Sequence, residues 1–388
     1  MVLLVGEIDG KSTRLALFTH KSVQKKDGER FSYAVDEMVC SCSFGYDGYS
    51  HEKDNGIAIL QNLLDTFLKN HYYGQEIEKH DIYGACFSVA GTVQHGTAEV
   101  DRKNFKAKFT KRDIAVKFPS KSKSVPVSFI NDMEAIGYSI FLGDGENQLD
   151  DLCNVNVSQS DLSKERRALM LVSEGMGQAL WYWDGQHGKN GAFRPIPSEG
   201  GHGDFADPTP DKELSIYLEK TNLANGDTSS ISYEQVLSED GLLRIYEFLK
   251  STRQYPEENE GEIQNISSEV IIEKAFQAKH IPLCKASVEL FVRIWGAEAG
   301  NLALRYTAIG GVYIGGNLPI PTDKLREYGF EKAFVNKEKT FGNYNSNIPV
   351  KVFSIYNNPD ILLWGAARYA IFDGYVSKGK FAIERAKQ

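Results

Sequence analysis

Two strand-turn-strand signatures constrain the fold of this chain most. Val2 to Ile8 is an almost continuous apolar run that stops at Asp9-Gly10-Lys11-Ser12 and resumes as alternating residues from Thr13 to Phe18. A short apolar run bounded by turn residues reads as a buried strand, and the alternation beyond it as a second strand, so the chain opens with a hairpin. A second hairpin follows a polar tract: Ala168 to Val172 runs into Ser173-Glu174-Gly175-Met176-Gly177-Gln178-Ala179 and continues extended over Leu180 to Trp183. This second turn is not a dinucleotide fingerprint, because the third glycine and the following helix are missing, and no Walker phosphate loop occurs in the chain. The first turn gathers Glu7, Asp9, Gly10, Lys11, Ser12 and Thr13. Acid, glycine and hydroxyl in that density can flank a metal-bound phosphate, although ordinary turns share the composition.

The segments between and after the hairpins alternate strand with helix. Phe31 to Cys42 reads as a third strand. Gly56 to Asn70 reads as an amphipathic helix with Ile57, Leu60, Leu63, Leu64 and Phe67 on one face, and Ile82 to Ala90 as a fourth strand ending at Gly91-Thr92. Val125 to Ile130 is a short apolar strand that stops at Asn131-Asp132, ahead of a helix over Met133 to Leu142. An acid at the carboxyl end of a buried strand stands where α/β proteins keep their chemistry. Asn and Asp also cap helices well, and capping does not exclude catalysis. Residues 143–165 read as a connection between domains or a solvated loop. Beyond them, helices are expected over Lys212 to Glu219, from Ser238 onward, over Ala286 to Tyr306 and over Leu362 to Phe372. Gly310-Gly311-Val312-Tyr313-Ile314-Gly315-Gly316 is a short strand with a glycine pair at each end, and Val350 to Ile355 is the final strand. Glycine pairs admit close approach of a flat ligand, or of another strand.

Three ionisable side chains stand among three glycines in the stretch Ser198-Glu199-Gly200-Gly201-His202-Gly203-Asp204-Phe205. Its glycines allow tight bending, and Glu199 and His202 can be presented together to a small polar ligand. A metal-binding Glu-x-x-His pair needs a helix, which Gly200-Gly201 disfavours. Ser232-Tyr233-Glu234-Gln235 has capping-box spacing, which places Glu234 in the first turn of a helix.

A chain of 388 residues with 41% hydrophobic content can bury two domain cores. With Lys+Arg 44 against Asp+Glu 52, a net charge of -8, no general attraction to nucleic acid or to an anionic membrane is expected. The basic run Lys103 to Lys123 reads as a solvated face. No apolar run is long enough to cross a bilayer, and the first apolar run meets Gly6-Glu7 too early for a signal peptide, so a cytoplasmic protein is expected. Five scattered cysteines without paired metal-ligand spacing agree with a reducing compartment.

Taken in order, Phe129-Ile130-Asn131-Asp132, Ser198 to Ala206, Tyr233 to Ser238, Gly300 to Leu304 and Gly310 to Gly316 resemble the bacterial-type glucokinases of the sugar-kinase, heat-shock-protein and actin superfamily. The resemblance spans nearly the whole chain. It implies two actin-like (ribonuclease H-like) α/β domains with a ligand cleft between them. The small domain would comprise residues 1–142 with 358–388 returning to it, and the large domain 143–357. It further implies transfer of the γ-phosphate of ATP to the 6-hydroxyl of glucose, with Asp132 as general base. Asn104, Asn131, Glu199, His202 and Glu234 would bind the sugar. Carboxylates and an imidazole suit neutral hydroxyls through charge-assisted hydrogen bonds. Glu7, Gly10, Lys11, Ser12, Thr13, Gly175, Met176 and Gly177 would line the phosphates, and Gly310, Gly311, Gly315 and Gly316 the adenosine. Mg2+ would bridge the phosphates, with Glu7 holding it through water, and a homodimer is the expected assembly.

The chain departs from this family on the phosphate side. Where the family has Asp-x-Gly-Gly-Thr followed by Arg, this chain has Glu7-Ile8-Asp9-Gly10-Lys11 with Arg14 kept; in the second turn Met176 stands where a threonine is usual; and Ala107 replaces a tryptophan. These changes leave a second reading open, a glucose-binding homologue with weak or no kinase activity that acts as a sensor. A repressor of the related branch is disfavoured, because no helix-turn-helix precedes the first strand and the cysteine-rich zinc motif is missing.

Overall fold

The computed structural model describes residues 2–23, 32–46, 55–102, 105–115, 118, 125–142, 149–153, 162–185, 191–255, 266–279 and 281–372. Asn104, the acidic stretch Glu257 to Glu262 and part of the basic run Lys103 to Lys123 lie outside them. The chain divides into two compact units, Met1–Gly145 with Asp360–Gln388, and Glu146–Pro359.

The first unit is built on a five-stranded sheet of order β3-β2-β1-β4-β8. Its strands are β1 (Val2–Ile8), β2 (Ser12–Val23), β3 (Ser32–Gly45), β4 (Ile82–Val89) and β8 (Val127–Asn131). β1 to β3 form an antiparallel meander, whereas β4 and β8 run parallel to β1. Every residue of β1 and β4 is buried, as expected of parallel strands covered on both faces. The helix Gly56–His71 is capped by Asn55, which accepts from the Ile57 amide, and buries Leu60, Leu63, Leu64 and Phe67. The terminal helix Ile361–Phe372 packs on the helix Asp132–Phe141 and on β4.

Between β4 and β8 lies a small antiparallel sheet of β5 (Thr92–Gln94), β6 (Thr97–Arg102) and β7 (Phe105–Thr110). The basic run contains the whole of β7. Phe105 and Phe109 alternate with Lys106 and Lys108, and the lysines pair across the sheet with Asp101 and Glu99 while remaining exposed. Alternation was therefore a legible strand signal there, masked by charge.

The second unit repeats the five-strand order and adds one strand. Its sheet runs β12-β11-β10-β13-β14-β9. The strands are β9 (Asp150–Cys153), β10 (Arg167–Val172), β11 (Met176–Asp184), β12 (Ala192–Ser198), β13 (Val312–Gly316) and β14 (Val350–Ser354). β10 to β12 are antiparallel, β13 and β14 run parallel to β10, and β9 closes the far edge antiparallel. The long helix Pro282–Tyr306 begins four positions ahead of the expected Ala286, with proline in its first turn, where the missing amide costs nothing. Val288, Phe291, Val292, Trp295, Ala299 and Leu302 form its core stripe. Among the described residues no helix is long and apolar enough to cross a membrane.

Candidate active site

In the first unit the register aligns Ile8 with Val89 and Val89 with Asn131, so three parallel strands end along one edge. That edge carries the β1–β2 turn, Gly91 and the start of the helix Asp132–Phe141. Asn131 is the N-cap, its side chain accepting from the Met133 amide at 2.8 Å. Glu134 returns to the Asn131 amide at 3.0 Å and completes a capping box. The other end of the Asn131 side chain donates to the Gly91 carbonyl at 2.9 Å. Asn131 thus sets the loop after β4 against the helix start, and Asp132 is the first helical residue, where the positive end of the helix dipole favours a carboxylate.

The β1–β2 turn is closed by its own acid. The Asp9 carboxylate accepts from the Lys11 and Ser12 amides, both at 2.6 Å. Two amides able to meet a phosphate are therefore already satisfied from within the turn. Thr13 is buried and shares a 2.7 Å hydrogen bond with the Tyr46 hydroxyl. Glu7 faces Arg14 across the hairpin at 3.2 Å, and Arg14 also pairs with Asp360. Burial pushes the Glu7 carboxyl up to about 7, against the pull of Arg14 and with help from the charges of Asp9 and Asp132. Asp360 carried no sequence signal; it is a lone acid after Asn357-Asn358-Pro359.

The second unit gathers the other polar residues. Ser198 ends β12, and the glycines after it form a single 3-10 turn, Gly200–His202. This stretch is laced to Tyr233-Glu234 by main-chain bonds: the Tyr233 amide donates to Gly203 at 3.0 Å and the Glu234 amide to Gly201 at 2.8 Å. His202 Nδ1 consequently lies 4.0 Å from Glu234 Oε1, with the imidazole 61% exposed. Glu199 is exposed beside them. Glu234 Oε2 accepts from the Met176 amide at 3.0 Å, which ties the β10–β11 turn to the polar loop. Glycine is required at Gly201, where a Cβ would stand 2.1 Å from the Met176 carbonyl oxygen, and a Cβ on Gly175 would displace the Glu234 carboxylate, 2.5 Å from its Oε2.

Two expectations need correction here. Ser232 to Gln235 is not a helix start: the Ser232 hydroxyl accepts from the Gln235 amide at 3.4 Å, but the turn ends at once. The helix begins at Glu239 under a Ser238 cap. The β-bridge between Asp204 and Ser232 holds this segment against the glycine loop, so tertiary pairing overrides the local capping signal. The glycines of β13 also divide. Gly315 and Gly316 sit at the carboxyl end, beside Val172 and the β10–β11 turn. Gly310 and Gly311 lie at the opposite end, about 16 Å away at strand rise, packed against Glu165, Arg166 and Pro349. Only Gly315 and Gly316 therefore adjoin the β10–β11 turn.

Among the described residues no cluster of three or more His, Cys, Asp or Glu side chains is arranged to hold a metal. Glu7 with Asp132 near it fits a magnesium ion that keeps most of its water and takes its remaining ligands from phosphate.

The Glucokinase family profile matches residues 48–371. A glucokinase of Synechocystis sp. is 32% identical over 302 residues, covering 73% of this chain and 78% of the relative. Among solved structures, glucokinase from an Antarctic psychrotroph superposes with a TM-score of 0.67 at 24% identity, covering 95% of this chain and 98% of that one. Glucokinase from Balamuthia mandrillaris, solved with glucose, gives 0.68 at 18% identity over 96% of this chain and 94% of that one. The fold is the actin-like two-domain fold of sugar kinases, as the doubled five-strand order requires. With the profile match running through both units, the chain belongs to the glucokinase family.

Proposed function

We propose that this protein transfers the γ-phosphate of ATP to the 6-hydroxyl of glucose, giving glucose 6-phosphate and ADP. The observation that carries the reading most directly is the joined set Glu199, His202 and Glu234 in the second unit, held by main-chain bonds and equipped to read neutral hydroxyls. Asp132 is the general base, taking the proton of the 6-hydroxyl as it attacks. Its place in the first helical turn stabilises the carboxylate form that this role needs. Arg14, paired to Glu7 and Asp360, sets the charge balance around the β1–β2 turn, where the phosphates would lie. Bound magnesium, held through Glu7, would neutralise phosphate charge.

A second reading, a glucose-binding homologue of weak activity, is favoured by one observation: Asp9 occupies the turn amides that would otherwise meet phosphate. ADP release with MgATP, with and without glucose, alongside direct detection of glucose 6-phosphate, separates the two. The kinase reading expects stoichiometric, glucose-dependent products, and a fall in kcat of about 100- to 10,000-fold in Asp132→Asn. Glucose binding without turnover in the wild type would move the assignment to the second reading.

A further inference from the structure

The helix Pro282–Tyr306 carries a charge where charges are rarely found: Glu298 is 0% exposed. Its carboxylate accepts from Arg305 at 2.5 and 3.2 Å, from Gln178 Nε2 at 3.0 Å and from Asn301 Nδ2 at 3.0 Å. Asn301 is fixed in turn by Lys337, which donates to its Oδ1 at 2.7 Å and to the Ala297 carbonyl at 2.9 Å. The Tyr233 hydroxyl lies 3.3 Å from Asn301 Nδ2. Burial, and next the charge of Glu298, push that phenol up to about 12.

Such a network is a poor way to gain stability, because desolvating a buried ion pair offsets most of its attraction, and an apolar replacement is often as stable. Its value must lie in what it holds still. Two of its members end at the polar loop. Gln178, 1% exposed, pairs with Ser198 across β11 and β12. The Gln178 Oε1 atom sits against Gly200 so closely that a Cβ there would meet it at 2.2 Å. Tyr233 immediately precedes Glu234 and is bonded through its amide to Gly203. One carboxylate thereby fixes the supports of both halves of the loop.

We propose that Glu298 is a positioning residue for the sugar. Acting through Gln178 on the Gly200–His202 turn and through Tyr233 on Glu234, it holds Glu199, His202 and Glu234 in register for glucose without touching it. The proposal rests on the reading that these three residues bind the sugar. A merely structural role predicts lowered thermal stability with unchanged KM values; a positioning role predicts a selective change for one substrate.

The test uses the full-length enzyme as Glu298→Gln and Gln178→Met, the second keeping side-chain volume while cutting only the link to the loop. Circular dichroism and thermal unfolding establish folding, and steady-state kinetics give both KM values. The expected result is a rise in glucose KM of about tenfold, with ATP KM changed by less than about threefold, as for the loss of one hydrogen bond to a charged group. If only one variant folds, that one decides. A folded variant with the wild-type glucose KM overturns the proposal, as does failure of both to fold, which would assign the network to the stability of the unit. His202→Ala serves as the separate control: if it leaves glucose KM unchanged, the sugar-site reading itself is at fault.

Discussion

The two hairpin turns occupy equivalent places in their sheets, yet they are closed in different ways. The β1–β2 turn is locked by Asp9, two and three residues from the amides it satisfies. The β10–β11 turn offers its Met176 amide to Glu234, which is 58 residues away and is laced to the polar glycine loop. The first lock is local, so it depends on no distant element. The second is made by a side chain that the proposed reading also assigns to glucose, so the sugar competes for it. Equivalent topology therefore yields one turn closed from within and one closed by a distant carboxylate, which on the proposed reading ties only the second to sugar.

Removing the shared carboxylate breaks this comparison most severely. Glu234→Ala is expected to raise glucose KM about 100-fold, the loss of more than one charge-assisted hydrogen bond. It should also free the Met176 amide, so that titration of a non-hydrolysable ATP analogue in the absence of sugar shows binding tighter by about fivefold. His202→Ala should weaken glucose alone, since the imidazole stands 4.0 Å from Glu234 and it is Glu234 that holds the Met176 amide. Equal effects of both variants on nucleotide would dissolve the distinction between the turns.

Asp9→Gly sharpens the comparison from the other side. It restores a glycine to the first turn and releases the Lys11 and Ser12 amides, so nucleotide should bind about fivefold tighter whether or not glucose is present, with glucose KM unaltered. Weaker nucleotide binding in this variant would mean that Asp9 shapes the turn for phosphate rather than competing with it.

Much of this contrast was legible in the sequence, and the remainder was not for identifiable reasons. The apolar runs Val2 to Ile8 and Ala168 to Val172 announced the two central strands, because buried parallel strands need uninterrupted apolar residues. Asn131-Asp132 announced a helix start, because capping chemistry is local. Glu234 misled by the same logic: its capping-box spacing is local, whereas its placement comes from pairing with Gly201, far along the chain. Gln178 and Glu298 could not be singled out, since one is a polar residue in an alternating strand and the other an ordinary acid in a helix. Only the fold brings them within 3.0 Å.

Glu7 offers the smallest effect and the cleanest sign. Burial is the largest influence and raises its pKa, Arg14 pulls the other way by favouring the charged form, and Asp9 and Asp132 add to the rise, so the carboxyl sits at about 7 rather than 4.5. A carboxyl whose folded pKa is raised binds its proton more tightly when folded. Its stabilising contribution is therefore complete below about pH 4.5 and is lost as pH climbs through 7. Glu7→Gln should match the wild type in thermal unfolding at pH 5 and exceed it by about 2–4 °C at pH 8. Magnesium needs the ionised carboxylate, so the magnesium concentration giving half-maximal activity should fall several-fold in the wild type between pH 6 and pH 8. In Glu7→Gln that pH dependence should flatten. A wild-type magnesium requirement that stays level across this range, with the variant no more stable than the wild type at pH 8, would show that Arg14 keeps Glu7 charged throughout and that burial has been given too much weight.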